Sequence, residues 1–225
     1  RWEEVYQELD WMPDGSLNAA HEAIDRHALG PLGDKTAMIW LGKEGEREEY
    51  TFRLMRALSS RFANVLKSLG VEKGDRICIC LDRVPELYAA FFGTLKSGAI
   101  AVPLASDSSP EAIKACMMHT KAKVLVTQPN VRRSIYATVF ELFDLQHIIV
   151  VNKNDRDPLP METADLDYVE EMGKAPTDFA IAATGQYDQA TIHYTGGTAG
   201  VVHAHLAVAQ HLAAATWVMD IRDGD

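Results

Sequence analysis

Residues 193–205 read His-Tyr-Thr-Gly-Gly-Thr-Ala-Gly-Val-Val-His-Ala-His. Gly196, Gly197 and Gly200 leave the backbone without side-chain obstruction, so successive N–H groups can converge on an anion, and the hydroxyls of Thr195 and Thr198 add donors. That is phosphate-binding chemistry. The Walker A pattern is not met, because no Lys-Ser or Lys-Thr follows the glycines. The alternative on composition alone is a tight β-hairpin whose glycines only supply positive φ.

Other candidate groups are fewer. His193, His203, His205 and His211 crowd the same segment. No Asp, Glu or Cys is spaced with them to complete a tetrahedral set, so no metal site is assigned and the histidines are expected to hydrogen-bond at a sheet end. Arg132 and Arg133 are adjacent cations at the start of an expected helix, where a ligand phosphate could bind; a solvated helix end is the competing reading. Cys78 and Cys80 fall on one face of a strand, with Cys116 apart from them, and neither a disulfide framework nor a zinc spacing emerges. No residue is assigned a catalytic role.

The elements that must position these groups alternate in type. The text predicts a helix over 18–29, a strand over 36–42, and a helix over 52–70 with Leu54, Leu58, Phe62, Val65, Leu66 and Leu69 in one stripe, Thr51 as cap and Gly70 as stop. Strands follow at 76–81, 99–104, 123–127 and 147–151. Between them lie helices opened by Pro85 and by Ser109-Pro110, and one over 131–143. Strands apolar on both faces that alternate with helices imply an α/β class, a parallel sheet flanked by helices. The stretch from 152 to about 187 reads as a polar surface excursion with a short helix near 165–172. Two strands around the glycine-rich turn and an alanine-rich helix over 206–219 complete the pattern. The acidic run 42–50 reads as a solvated turn. Trp40, Phe91, Phe92, Met117, Met118 and Trp217 are assigned to packing.

At 225 residues and 47% hydrophobic content the chain can bury a sizeable core. Its net charge of -10 would repel a nucleic-acid backbone or an anionic membrane. No apolar run is long enough to span a bilayer, and the first residues are acidic and aromatic, unlike a targeting signal. With unpaired cysteines, a cytoplasmic location is expected.

The whole chain, and not only its glycine-rich loop, resembles the adenylate-forming enzymes, within them the AMP-forming acyl-CoA synthetases, and most closely the acetyl-CoA synthetase family. Their loop reads approximately Y-T-S-G-T-T-G-x-P-K-G-V-x-H; Tyr194, Thr195, Gly197, Thr198, Gly200, Val201 and His203 match in order. Gly196 replaces a serine, Ala199 replaces a threonine, and x-P-K-G is absent between Gly200 and Val201. Upstream, "GDKTAMIWLGKEGE", "RFANVLKSLGVEKGDRICICLDRVPELY" and "LKSGAIAVPL" are similar to family text in the same order. The resemblance implies that residues 1–225 are the N-terminal portion of the large adenylate-forming domain, a fragment without the C-terminal domain and inactive alone.

It also implies an acid–CoA ligase using ATP, Mg and CoA on a small carboxylate, acetate or another short acid first. Thr195, Gly196, Gly197, Thr198 and Gly200 would bind the nucleotide phosphates, and Arg132 and Arg133 would be candidates for CoA. A non-catalytic remnant and an adenylate-former for aryl or medium-chain acids are the alternatives. A nicotinamide-dependent dehydrogenase is disfavoured because no G-x-G-x-x-G follows an early strand. Loss of a real loop segment would leave a gap between Gly200 and Val201; a true deletion would leave a continuous short hairpin. The expectation is the former.

Overall fold

Four successive residues of the strand Arg-Ile-Cys-Ile-Cys are fully buried, Ile77 to Cys80, so both of its faces must be covered. The computed structural model, which describes residues 2–152, 165–194 and 199–221, shows how. In chain order it has α1 (Trp2–Glu8), a π-helical turn (His21–Asp25) running into α2 (Arg26–Leu29), β1 (Thr36–Leu41), β2 (Arg47–Thr51), α3 (Phe52–Ser68), β3 (Arg76–Cys80) and α4 (Pro85–Lys96). There follow β4 (Ile100–Leu104), α5 (Pro110–Thr120), β5 (Val124–Thr127), α6 (Pro129–Ser134), β6 (His147–Val150), β7 (Asp165–Asp167), α7 (Tyr168–Lys174), β8 (Gln189–Tyr194), β9 (Gly200–Ala204) and α8 (Ala207–Ala213).

Among the described residues the main sheet has seven strands in the order β7-β6-β5-β3-β4-β8-β9, all parallel except β9, which pairs antiparallel with β8. One face of β3 packs through Ile77 and Ile79 on Phe62 of α3, Ala90 and Leu95 of α4, and Tyr168 of α7. The other face packs through Cys78 and Cys80 on Ile113 and Met117 of α5 and Val131 of α6. The predicted helix starts hold: the Thr51 hydroxyl accepts from Leu54 N–H, the Ser109 hydroxyl from Ala112 N–H, and Pro85 opens α4. Gly70 closes α3 at φ +73, where a side chain would be strained.

Several expectations are corrected. β1 does not join the parallel sheet but pairs antiparallel with β2, which takes up the second half, residues 47–50, of the run read as a solvated turn. Arg47 and Glu49 face water while Tyr50 turns into a cluster with Ile24 and Met55, so alternation was present under the charges. The helix expected over 131–143 stops at Ser134, where the Ser134 and Thr138 hydroxyls bond the Val131 and Ile135 carbonyls and compete with the helical ladder. Only a 3-10 turn, Val139–Glu141, follows. Asp165–Asp167 is strand β7, not helix; Asp167 then caps α7 by accepting from Glu170 N–H. The alanine-rich helix runs from α8 into a π-helical turn, Ala214–Val218, and Trp217 and Met118 are about half exposed rather than core.

One buried ion pair sits where α3, α4 and the π-helical turn meet. Lys96 is fully buried, its Nζ 2.8 Å from Asp25 Oδ2, and it also donates to Ser60 Oγ and to the Arg56 carbonyl. Burial pushes the Lys96 ammonium below its usual pKa, and Asp25 opposes that. Removing one partner strands the other charge away from water, so Asp25→Ala is expected to lose about 3–5 kcal/mol in urea unfolding. The volume-matched double variant Asp25→Leu/Lys96→Met should recover most of it; equal losses in both would contradict this account.

Candidate functional site

After β3 the chain turns to α4 on one face of the sheet, and after β4 it turns to α5 on the other. Neighbouring parallel strands whose connections leave in opposite directions open a crevice at their carboxyl ends. Here that crevice is an open cleft of about 910 Å³ between the β1–β2 hairpin and the loops that follow β3 and β4. Its floor is tied across three strand ends. Ser106 Oγ donates to Asp82 Oδ1 at 2.5 Å, and Asp82 N–H donates to Gln128 Oε1 at 2.8 Å. The Ser106 hydrogen bond is the main reason the Asp82 carboxyl sits below its usual pKa. Trp40 Nε1–H donates to the Arg83 carbonyl at 2.8 Å and holds the β1–β2 hairpin over the rim.

β8 runs parallel to β4, so Tyr194 ends at the same carboxyl edge. The return strand β9 pairs with β8 rung by rung: Tyr194 opposite Gly200, His193 opposite Val201, Ile192 opposite Val202. Gly200 and Val201 thus occupy successive positions of one paired strand. Gly200 is required by close approach: a Cβ there would lie 2.6 Å from Ile192 Cγ2 and 3.1 Å from the Tyr194 ring. Thr195, Gly196, Gly197 and Thr198 lie outside the described residues.

The far end of the hairpin is sewn into the fold by His205. Its side chain is fully buried, its Nδ1 accepts from Ala19 N–H at 3.0 Å, and its own N–H donates to the Asp188 carbonyl. Next to it, Asn18 Nδ2 donates to the Leu95 carbonyl, and the Thr184 hydroxyl donates to the Leu17 carbonyl. His193 and His203 meet edge to face across the hairpin, ring centroids 5.5 Å apart; burial first, then His203, lowers the His193 pKa. Among the described residues no group of three or more His, Cys, Asp or Glu side chains could hold a metal ion.

Arg132 is not a solvated helix end. It is buried, with Nε 2.9 Å from Asp165 Oδ2 and a second contact to Oδ1, and it fastens α6 to β7. Arg133, beside it, is exposed. Cys116 is not apart from the other cysteines: its thiol meets that of Cys78 from α5, and all three cysteines are free and buried. Sequence reasoning missed Asp82, Ser106 and Gln128; their signal was position, each directly following or close behind the end of a parallel strand. It also missed His119, whose Nδ1 shares a 2.5 Å hydrogen bond with the Tyr194 hydroxyl. No local pattern announces that pairing.

A family profile described as AMP-binding enzyme matches residues 24–224. The chain belongs to that family. The acetyl-coenzyme A synthetase of Bacillus subtilis is 37% identical over the whole of this chain and 40% of its own length. The 3-hydroxypropionyl-coenzyme A synthetase of Metallosphaera sedula is 32% identical over 88% of this chain and 32% of its own. The solved structure of an acyl-CoA synthetase from Brucella canis superposes with a TM-score of 0.87 at 27% identity, covering 100% of this chain and 40% of that one. An anthranilate CoA ligase solved with anthranoyl-AMP gives 0.77 at 25% identity, over 94% of this chain and 38% of that one. The chain therefore spans about 40% of the length of relatives it matches. In this adenylate-forming fold the α/β reading and the family resemblance both hold. Among the described residues no helix is long and apolar enough to cross a membrane.

The burial of His205 drives its pKa down to about 4. In the unfolded chain it would take a proton near pH 6.5. Its contribution to stability is therefore complete above about pH 6.5 and is lost progressively as the pH falls toward 4. The unfolding free energy from urea titrations should fall between pH 8 and pH 4 by a component of about 3 kcal/mol that His205→Gln abolishes. An unchanged pH profile in that variant would contradict the assignment.

Proposed function

We propose that this chain is the N-terminal portion, residues 1–225, of the large domain of an acid–CoA ligase. The reaction joins a carboxylate to the α-phosphorus of Mg-ATP, releasing pyrophosphate, and the CoA thiol then displaces AMP from the acyl-adenylate. Acetate or another short acid is the first substrate, on the strength of the 37% identity to an acetyl-coenzyme A synthetase. The observation that carries the reading is the Gly/Thr segment between β8 and β9, departing from the carboxyl edge of a parallel sheet. Cytoplasmic location is part of the same reading, supported by three unpaired cysteines.

The residues present fit phosphates in one respect and depart in another. Thr195, Gly196, Gly197, Thr198 and Gly200 supply backbone N–H groups and two hydroxyls where negative charge gathers on the leaving pyrophosphate. No lysine accompanies them, so donors and Mg²⁺ arriving with the nucleotide must offset that charge. Arg132 does not fit a CoA phosphate, because its guanidinium is buried against Asp165. Arg133 remains the candidate on that helix by its exposure.

A second reading, a nucleotide-binding remnant without catalysis, is favoured by one observation: Val201 follows Gly200 directly in the sequence, where the family loop carries Pro-Lys-Gly. Titration calorimetry with Mg-ATP and ATP–pyrophosphate exchange with acetate, 3-hydroxypropionate and anthranilate separate the two. Thr195→Ala/Thr198→Ala is expected to weaken Mg-ATP binding by about a hundredfold or more, as two lost hydrogen bonds to a charged group would. Exchange driven by acetate supports the ligase, binding without exchange supports the remnant, and binding unaffected by the double substitution overturns the phosphate site.

A further inference from the structure

The inner face of α5 brings Cys116 against the central strand. Ile113 and Met117 of that helix pack in one cluster with Cys78 and Cys80 of β3, and Cys116, between them in sequence, falls on the same face. Its thiol meets the thiol of Cys78 and, from another direction, the Tyr194 hydroxyl. These hydrogen bonds, the one from Cys78 above all, hold the Cys116 thiol below its usual pKa against the opposing effect of burial. Cys78, the donor, is pushed well above its own. Cys80 is engaged elsewhere, its thiol donating to the Ala105 carbonyl. The Tyr194 hydroxyl shares a 2.5 Å hydrogen bond with His119 Nδ1, and these two residues line an open groove of about 320 Å³. Cys116 lies directly behind Tyr194, and of the two thiol residues it alone keeps any exposed surface, 4% against none. A small reagent therefore meets Cys116 first.

We propose that Cys78 and Cys116 are a peroxide-sensitive dithiol, in which Cys116 attacks hydrogen peroxide and Cys78 then closes a disulfide between β3 and α5. The Cys116 proton passes to the Tyr194 oxygen as the tyrosine proton passes to His119 Nδ1. The thiolate attacks one peroxide oxygen, the S–O bond forms as the O–O bond breaks, and the departing hydroxide takes the proton back from His119 and leaves as water. The Cys78 sulfur then attacks the Cys116 sulfur; the S–S bond forms, the S–O bond breaks, and the Cys78 proton leaves with the hydroxide as a second water. The two sulfurs give up two electrons in all, and the peroxide takes them. In a reducing compartment such a bridge is transient, reopened by other thiols. The pair is separate from the ligand sites proposed above.

The full 225-residue chain is treated with hydrogen peroxide, its remaining thiols are alkylated in urea, and its peptides are mapped and fragmented by mass spectrometry before and after dithiothreitol. The expected product is a reducible peptide pair joining Cys78 to Cys116, with Cys80 alkylated. Chain unfolded in urea before oxidation should show no such preference. Cys78→Ala should stop at the Cys116 sulfenic acid, captured by dimedone, and Cys116→Ala should leave Cys78 a thiol. His119→Ala should slow bridging about two- to tenfold, the range of one hydrogen bond. The parent chain alone decides whether the bridge forms, so a substitution that fails to fold leaves the test intact. Three free thiols after treatment, a bridge through Cys80, or the same products from folded and unfolded chain would overturn the dithiol. Dimedone on Cys78 instead of Cys116, or an unchanged rate in folded His119→Ala, would overturn Cys116 as the attacking thiol.

Discussion

Strand β3 carries no side chain between Ile77 and Cys80 that meets water, and a parallel strand buried on both sides needs helices on both sides. Much of the architecture follows from that requirement. The chain after β3 goes to the α3–α4 face, the chain after β4 goes to the α5–α6 face, and the divergence opens the crevice over Asp82 and Ser106. Full burial of Phe62, Leu66, Ile77 and Ile79 on one face alone involves four large apolar side chains, each worth roughly 1.5–3 kcal/mol in transfer from water. A polar substitution in β3 would remove the cover from two layers at once.

At the other end of the sheet the constraint changes from burial to close approach. β9 is an antiparallel edge strand with Val201 and Val202 about half exposed, so the core does little to hold it. What fixes the hairpin is the lack of a Cβ at Gly200, the ring of Tyr194 over that space, and His205 clamped to Ala19. The glycine at 200 therefore has a structural reason independent of any ligand. The same residue also ends the segment whose composition suits phosphate, which is why the hairpin and anion-site readings were not exclusive.

Legibility in the sequence tracked the range of the interaction. Thr51, Pro85 and Ser109 act within one helical turn and could be placed from neighbours alone. β2 and β7 could not: Glu48, Glu49, Asp165 and Asp167 are poor strand formers, held in β2 by the apolar strand β1 across the hairpin and in β7 by β6 and by Arg132. Arg132 reads as a surface cation until a carboxylate 33 residues away captures it. Cys116 with Cys78, and His119 with Tyr194, are likewise contacts across the fold. Of the candidate site, the Gly/Thr composition was readable, and the strand-end residues Asp82, Ser106 and Gln128 were not, because nothing but topology brings them together.

The claim on which the functional reading turns is that phosphates bind at the β8–β9 turn. The most direct measurement is a backbone amide NMR titration of the chain with Mg-pyrophosphate, following every assigned N–H. The account predicts that the largest shifts fall on Thr195 through Thr198 and Gly200, with smaller ones at Tyr194. Largest shifts around Asp82, Ser106 and Gln128 instead, or none anywhere, would contradict it.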